Sequence, residues 1–431
     1  MSGDKLLRGR VLNFNREPNA IDDSNSYDYF EDGAIVIRQG LIVAVGNFND
    51  LSAKYENGST IIDHRPHLLM PGFIDTHIHF PQAQVIASWG AQLLDWLNTY
   101  TFPEETKFSN REHAQKIASA FIDELIRHGT TTAVAFCSVH PQSVDAYFGA
   151  ATARNMRMIG GKVMMDRNAP EGVLDTPQSS YDDSKTLIDR WHGTGRSLYA
   201  ISPRFAITST PQQLEMAEAL VREHPDCYMQ THLSENHAEI DFTAELYPDA
   251  RDYLDIYEHY GLLGPRSLFG HCIHLKPRER AVMAESGSIA VFCPTSNLFL
   301  GSGLYDEAGL RSDGVRTAIA TDVGGGTNYS MLRTLDEGYK VLQLQHQQMN
   351  PLKSFYWITR GNAEALSLAD KIGTLDEGSE ADIVVLDAGA TPAMALRMET
   401  IKSLSEELFV LQTLGDDRSI VQTYIAGEKC K

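Results

Sequence analysis

The stretch Met70-Pro71-Gly72-Phe73-Ile74-Asp75-Thr76-His77-Ile78-His79 decides how the rest of the chain is read. Pro71 and Gly72 break whatever precedes them, and the apolar run that follows reads as a strand ending among histidines. Side chains alternate along a strand, so His77 and His79 face one side. Two neutral imidazoles on one face make half of a zinc or iron site. With 15 histidines in the chain, such a pair also arises by chance as packed strand residues. The position at a strand's C-terminal end favours the ligand reading, because α/β barrels build their sites there.

Outward from this strand, apolar β-branched runs alternate with helical ones. Strands are expected over 73–79, 130–139, 158–165, 198–204, 228–233, 267–274, 289–293 and 317–322. Helices are expected between them, for example over 111–128, 211–224 and 277–286. Gly129 is placed to cap a helix C-terminus, and Pro211 and Pro277 to open helices. Eight strand–helix units over about 250 residues fit a (β/α)8 TIM-type barrel. The head of the chain is β-rich, with runs at 34–38 and 41–45 flanking the tight turn Gln39-Gly40. The tail turns β again at 373–375, 381–386 and 420–426, with a helical insertion near 392–415. Residues 1–70 and 371–431 are therefore expected to join as one small discontinuous β-sandwich domain beside a catalytic barrel over 71–370.

Composition sets the outer bounds. The chain has 431 residues, of which 42% are hydrophobic and 22% charged, as in an ordered globular protein. Thirty-seven Lys and Arg against 57 Asp and Glu give a net charge of −20, which repels a nucleic-acid polymer. No apolar run approaches the ~20 residues that cross a bilayer, and the start MSGDKLLRGRVLNF holds no secretory apolar region. The five cysteines form no C-x-x-C pair, so a reduced, cytoplasmic protein is expected.

Three more strand ends carry chemistry. In Thr231-His232-Leu233-Ser234-Glu235, His232 can ligate a metal and Glu235 can move protons, or sit as a carboxylate at a helix N-terminus. In Gly270-His271-Cys272-Ile273-His274 the odd spacing turns the two histidines to opposite sides, and His271 is taken as the inward one. In Ala320-Thr321-Asp322-Val323 an apolar strand ends in an acid able to ligate a metal and carry a proton. The following Gly324-Gly325-Gly326 lacks the P-loop pattern and reads as a turn that brings backbone close to the site. His77, His79, His232, His271 and Asp322 would all lie at the active face of one barrel.

This layout resembles the amidohydrolase superfamily, and the stretches VMMDRNAP, PRFA with THLSEN, and FCPTSNLFLGSG are similar to guanine deaminases along essentially the whole chain. The first histidine stretch, QLLDWLNTYTFP, GTTTAVAF and TDVGGGT fit the same family. The resemblance implies one Zn²⁺ held by His77, His79, His232 and Asp322. It implies Glu235, His271 and Asp322 as catalytic groups, and Gln82, Arg204 and Phe205 as purine-binding positions alongside His232 and Glu235. It further implies guanine as substrate, xanthine and ammonia as products, and a homodimer. Ile207, Ser234 and Gly325 stand where some relatives carry proline, cysteine and alanine. Ser202-Pro203-Arg204-Phe205 offers no lysine to bridge a second metal, and the H-x-E with P-C-x-x-C set of the other zinc deaminases is absent. Competing readings are a deaminase of another ring such as 8-oxoguanine, cytosine or a triazine, a ring-opening amidohydrolase, and a non-catalytic binding or scaffold protein. The last would be expected to lack Glu235, His271 or a ligand, and all are present. Trp89, Trp96 and Phe102 are read as helix packing rather than as site residues.

Overall fold

The computed structural model describes residues 4–55, 58–90 and 92–431. Four strands come from the head of the chain: β1 (Lys5–Phe14), β2 (Tyr27–Arg38), β3 (Leu41–Asn47) and β4 (Thr60–Pro71). The barrel strands are β5 (Phe73–His79), β6 (Thr130–Phe136), β7 (Arg157–Gly161), β8 (Val163–Met164), β9 (Leu198–Pro203), β10 (Tyr228–Leu233), β11 (Ser267–His271), β12 (Ile289–Phe292) and β13 (Arg316–Ile319). The tail adds β14 (Ile383–Leu386), β15 (Ile420–Ile425) and β16 (Glu428–Lys429).

Head and tail strands form one mixed sheet in the order β16-β15-β14-β4-β1-β2-β3. The two ends of the chain meet where β4 pairs with β14, Met70 opposite Val384 and Leu68 opposite Leu386. The Gln39-Gly40 turn has both residues at positive φ, 52° and 82°, as a two-residue hairpin requires. The sheet curls until Leu41 bridges Glu380, enclosing Leu7, Val11, Ile35, Ile37, Ile42, Leu69, Ile383 and Val385. The strand expected over 373–375 does not form. Gly373 lies at φ 75°, the Leu375 amide bonds to the Asn13 side chain, and Leu375 packs into this core as part of a turn. Helices Pro392–Met398 and Leu404–Leu414 occupy the expected insertion.

The remaining strands run parallel in the order β5-β6-β7-β9-β10-β11-β12-β13, and β8 extends the third position by pairing with β9. Helices alternate with them, and seven helices among the described residues open on a proline: Pro141, Pro177, Pro211, Pro277, Pro294, Pro351 and Pro392. Proline suits that place, where its missing N–H is not needed and its fixed φ is already helical. The last gap, β13 to β5, is bridged by two backbone bonds, from the His79 amide to the Val323 carbonyl at 2.6 Å and from the Asp322 amide to the His77 carbonyl at 2.9 Å, and by side chains. Asn362 donates to the carbonyls of Ile74 (2.7 Å) and Ile319 (2.9 Å) and accepts from the Ile319 amide (3.1 Å). Asp75 accepts from the Thr321 hydroxyl at 2.5 Å and its amide at 3.1 Å.

Candidate active site

The site begins with a fault in β5. Along the β5–β6 pairing, Asp75 opposes Ala133 but Ile78 opposes Ala135, so β5 carries one extra residue. Such a bulge reverses the alternation of side chains. Ile74 points into the barrel core with Val134, Ile159 and Tyr228. Beyond the bulge His77 and His79 point inward instead, against the Phe136 ring at 5.1 Å and 4.7 Å. The His77 ring needs room beside β11, and Gly270 provides it: a Cβ there would stand 2.6 Å from the imidazole.

His232 ends β10, His271 ends β11, and Asp322 follows β13. At these ends the backbone turns left-handed without glycine, with φ of 51° at Ser234, 74° at His271, 51° at Cys272 and 53° at Asp322. Strain of this kind concentrates where a side chain must be aimed. The structure therefore brings His77, His79, His232, His271, Asp322 and Glu235 together, all buried but His232, which is partly exposed. Gln82, Arg204 and Phe205 line the same cavity as His79, His232, Glu235, His271 and Asp322.

Ring nitrogens of His77, His79 and His232 lie within 4.8 Å of one another. Nε2 of His77 and of His79 each stand 3.4 Å from Asp322 Oδ1. His232 Nδ1 donates to the Arg204 carbonyl at 2.6 Å, which leaves its Nε2 with a bare lone pair, 3.2 Å from Nε2 of His79. Burial holds all three imidazoles below the usual histidine range, so they are neutral at pH 7. His77 Nε2 has no hydrogen-bond partner. Burial opposes a charge on Asp322, but the neighbouring histidines outweigh it and keep the carboxyl ionised. Three converging lone pairs beside a carboxylate, with no proton to share among them, suit a divalent cation. Cys293 also lies near His77 and Asp322, but burial pushes its thiol far up, so it stays protonated.

Across the cavity stand the groups able to move protons. Burial raises Glu235 to about 7, against the pull of His271, and Ser302 donates to it at 2.9 Å. The helix beyond begins at His237, with Asn236 as its cap. His271 Nδ1 donates to Asn297 Oδ1 at 2.9 Å, while Nε2 lies 3.3 Å from Glu235 and 3.7 Å from Asp322. Burial disfavours the His271 cation, yet both carboxylates overcome it and raise the group. His274 turns away, its Nε2 donating to the Ser302 carbonyl at 2.8 Å. One side of the cavity is apolar, with Leu93, Trp96, Leu97, Phe205 and Leu300.

Trp96 thus lines the cavity, whereas the sequence reading put it with helix packing. Trp89 is 78% exposed and takes no part. Phe102 is buried beneath Arg204, 5.4 Å from the guanidinium. Sequence reasoning also missed Glu105, Phe136, Asn297 and Ser302. Phe136, Asn297 and Ser302 fall inside the stretches GTTTAVAF and FCPTSNLFLGSG that carry the family resemblance, and Glu105 lies two residues past QLLDWLNTYTFP.

Comparison with known proteins agrees with this geometry. The amidohydrolase family model matches residues 68–430. A guanine deaminase of Escherichia coli strain K12 is 47% identical over 431 residues, covering 99% of this chain and 98% of its own. The chain belongs to the amidohydrolase family, in its guanine deaminase branch. The solved E. coli guanine deaminase superposes with a TM-score of 0.97 over 99% of both chains. A guanine deaminase from C. acetobutylicum, solved with guanine in its active site, is 28% identical, with a TM-score of 0.87 over 99% of this chain and 100% of its own. The eight-stranded parallel barrel and the separate terminal sheet are those of this family. Among the described residues, no helix is long and apolar enough to cross a membrane.

Proposed function

We propose that the chain hydrolyses guanine to xanthine and ammonia, with a single zinc ion held by His77, His79, His232 and Asp322. The observation that carries this reading is the meeting of two sets in one cavity. Neutral imidazoles with converging lone pairs face a buried carboxyl raised to about 7, in a cavity also lined by Gln82, Arg204 and Phe205. The 47% identity to a guanine deaminase selects the ring. When bound, such an ion makes hydroxide available from water near pH 7 and draws charge from the atom under attack.

The side chains do the rest. Glu235 accepts the proton of the attacking water and passes it to N3 of guanine, which makes C2 accept the oxygen. His271, oriented by Asn297, holds the oxygen that develops charge on C2. Asp322, ionised, takes the remaining proton from the hydroxyl now on C2 and relays it to the exocyclic amine. The C2–N bond then breaks, ammonia leaves, and guanine plus water has become xanthine plus ammonia. Arg204 and Gln82 offer hydrogen bonds along the purine edge, Phe205 and Trp96 offer aromatic faces, and the leucines exclude water. Four buried free thiols among five cysteines support a reducing, cytoplasmic setting, and family likeness supports a homodimer.

Product analysis over a panel of rings tests the substrate. Guanine should yield equal xanthine and ammonia with the ring closed, and cytosine, 8-oxoguanine and triazines should turn over at least about tenfold less efficiently by kcat/KM. An opened ring, or a preference for another member of the panel, would contradict the reading.

A further inference from the structure

Behind the cavity wall, on the short helix Phe102–Thr106, Glu105 is buried to 1% side-chain exposure and paired with Arg204 at 3%. Both Glu105 oxygens accept from Arg204 Nη1, at 2.9 Å and 2.8 Å. One of them also accepts from Gln82 Nε2 at 3.0 Å, and Gln82 Oε1 accepts from the Gly324 amide at 3.3 Å. Glu105 therefore fixes both polar residues expected to read the base, and the direction of the Gln82 amide, without lining the cavity itself. Arg204 uses one nitrogen on Glu105. Its other N–H groups find no protein acceptor among the described residues, so they are the donors open to a ligand.

Charge gives this arrangement a second consequence. An unpaired guanidinium in a dry cavity attracts anions strongly, because burial removes the screening that water supplies. Paired with Glu105, Arg204 presents N–H donors from a pair whose net charge is zero. We propose that Glu105 is the positioning residue that makes the pocket selective for uncharged purines over purine anions. The proposal deepens the purine reading of the site and rests on it. It also bears on product release, since a product that loses a proton gains nothing by staying.

The test compares binding of hypoxanthine, neutral at neutral pH, with urate, a monoanion, to the metal-loaded protein by calorimetry. Wild type, Glu105→Asp, Glu105→Gln and the Glu105→Gln/Arg204→Gln double variant are measured. Wild type should favour hypoxanthine by at least about tenfold, and Glu105→Asp should keep that preference. Glu105→Gln should tighten urate by about tenfold while weakening hypoxanthine, and the double variant should lose the gain for urate. A purely structural role for Glu105 would weaken both purines alike in Glu105→Gln, and that result overturns the proposal. So does wild type that binds urate as well as hypoxanthine, a reading that needs no variant to fold. Guanine turnover by the same wild-type preparation separates the two claims. Turnover without the preference removes the role of Glu105 and leaves the deaminase reading, while the preference without turnover does the reverse.

Discussion

Glu235 shows how burial converts an ordinary residue into a reactive one. Its carboxyl lies near 7 because water is excluded, with the Ser302 hydroxyl and His271 pulling the other way. It must be ionised to accept a proton, so kcat/KM should fall as pH drops below an apparent pKa at or below about 7. Ser302→Ala removes a donor that favours the ionised form, and that limb should move to higher pH by about one pH unit. An unmoved limb would show that Ser302 does not act on Glu235. Gly270→Ala puts a methyl 2.6 Å from the His77 ring. Metal affinity should drop by about 10–100-fold, read by competition with a chelator, since misaligning a ligand costs on that scale. At this scale the sequence was legible where a residue lies at or just past the C-terminal end of a strand, as His77, His79, His232, His271 and Asp322 do. Glu105, Asn297 and Ser302 were not, because their roles come from packing against residues tens of positions away.

The elements show where pattern reading stops. All eight barrel strands stand where alternating apolar runs placed them, because the barrel interior and the helix layer bury both faces of each strand. The bulge in β5 is invisible to such a pattern. Strict alternation from Ile74 would have turned His77 and His79 toward the helices, and only the pairing with β6 shows the extra residue. The turn at 373–375 was mistaken for a strand because Thr374 and Leu375 suit one. Gly373 at φ 75° and the Asn13 side chain on the Leu375 amide hold a turn instead. Between β13 and β5, beside the backbone and Asp75 bonds that also close the barrel, Asn362 bonds three backbone groups and is fully buried. Asn362→Ala strands those groups at roughly 1 kcal/mol each. It should lower Tm by roughly 5 °C in calorimetry, and an unchanged Tm would mean that the barrel closes without it.

Across the whole molecule the terminal sheet and the barrel are tied by a partly buried ionic cluster. Arg157, at the start of β7, pairs with Glu380, and Arg196, just before β9, pairs with both Glu380 and Asp382 ahead of β14. Burial raises the Glu380 carboxyl, but the two arginines prevail and hold it below its ordinary 4.5. A depressed folded-state pKa adds stability that is present above about 4.5 and lost as pH falls through the lower folded value. Glu380→Gln leaves the buried Arg157 and the partly buried Arg196 short of a partner. It should cost about 3–5 kcal/mol near pH 7 and flatten the acid limb of the stability profile. A variant as stable as wild type both near pH 7 and along the acid limb would show that the cluster contributes nothing. The discontinuous pairing of head and tail could be read from two β-rich ends flanking a barrel. The ionic cluster could not, because its paired members lie 184 to 223 positions apart in the chain.

The central claim joins a metal site to a proton shuttle acting on guanine. It is tested most directly by following guanine loss, xanthine and ammonia in wild type and Glu235→Gln at equal bound metal. Wild type should convert guanine to equal amounts of both products, and Glu235→Gln should lose about 10²–10⁴-fold in kcat with its metal content unchanged. Metal-loaded wild type that leaves guanine intact would contradict the account, and so would a Glu235→Gln variant that turns guanine over at the wild-type rate.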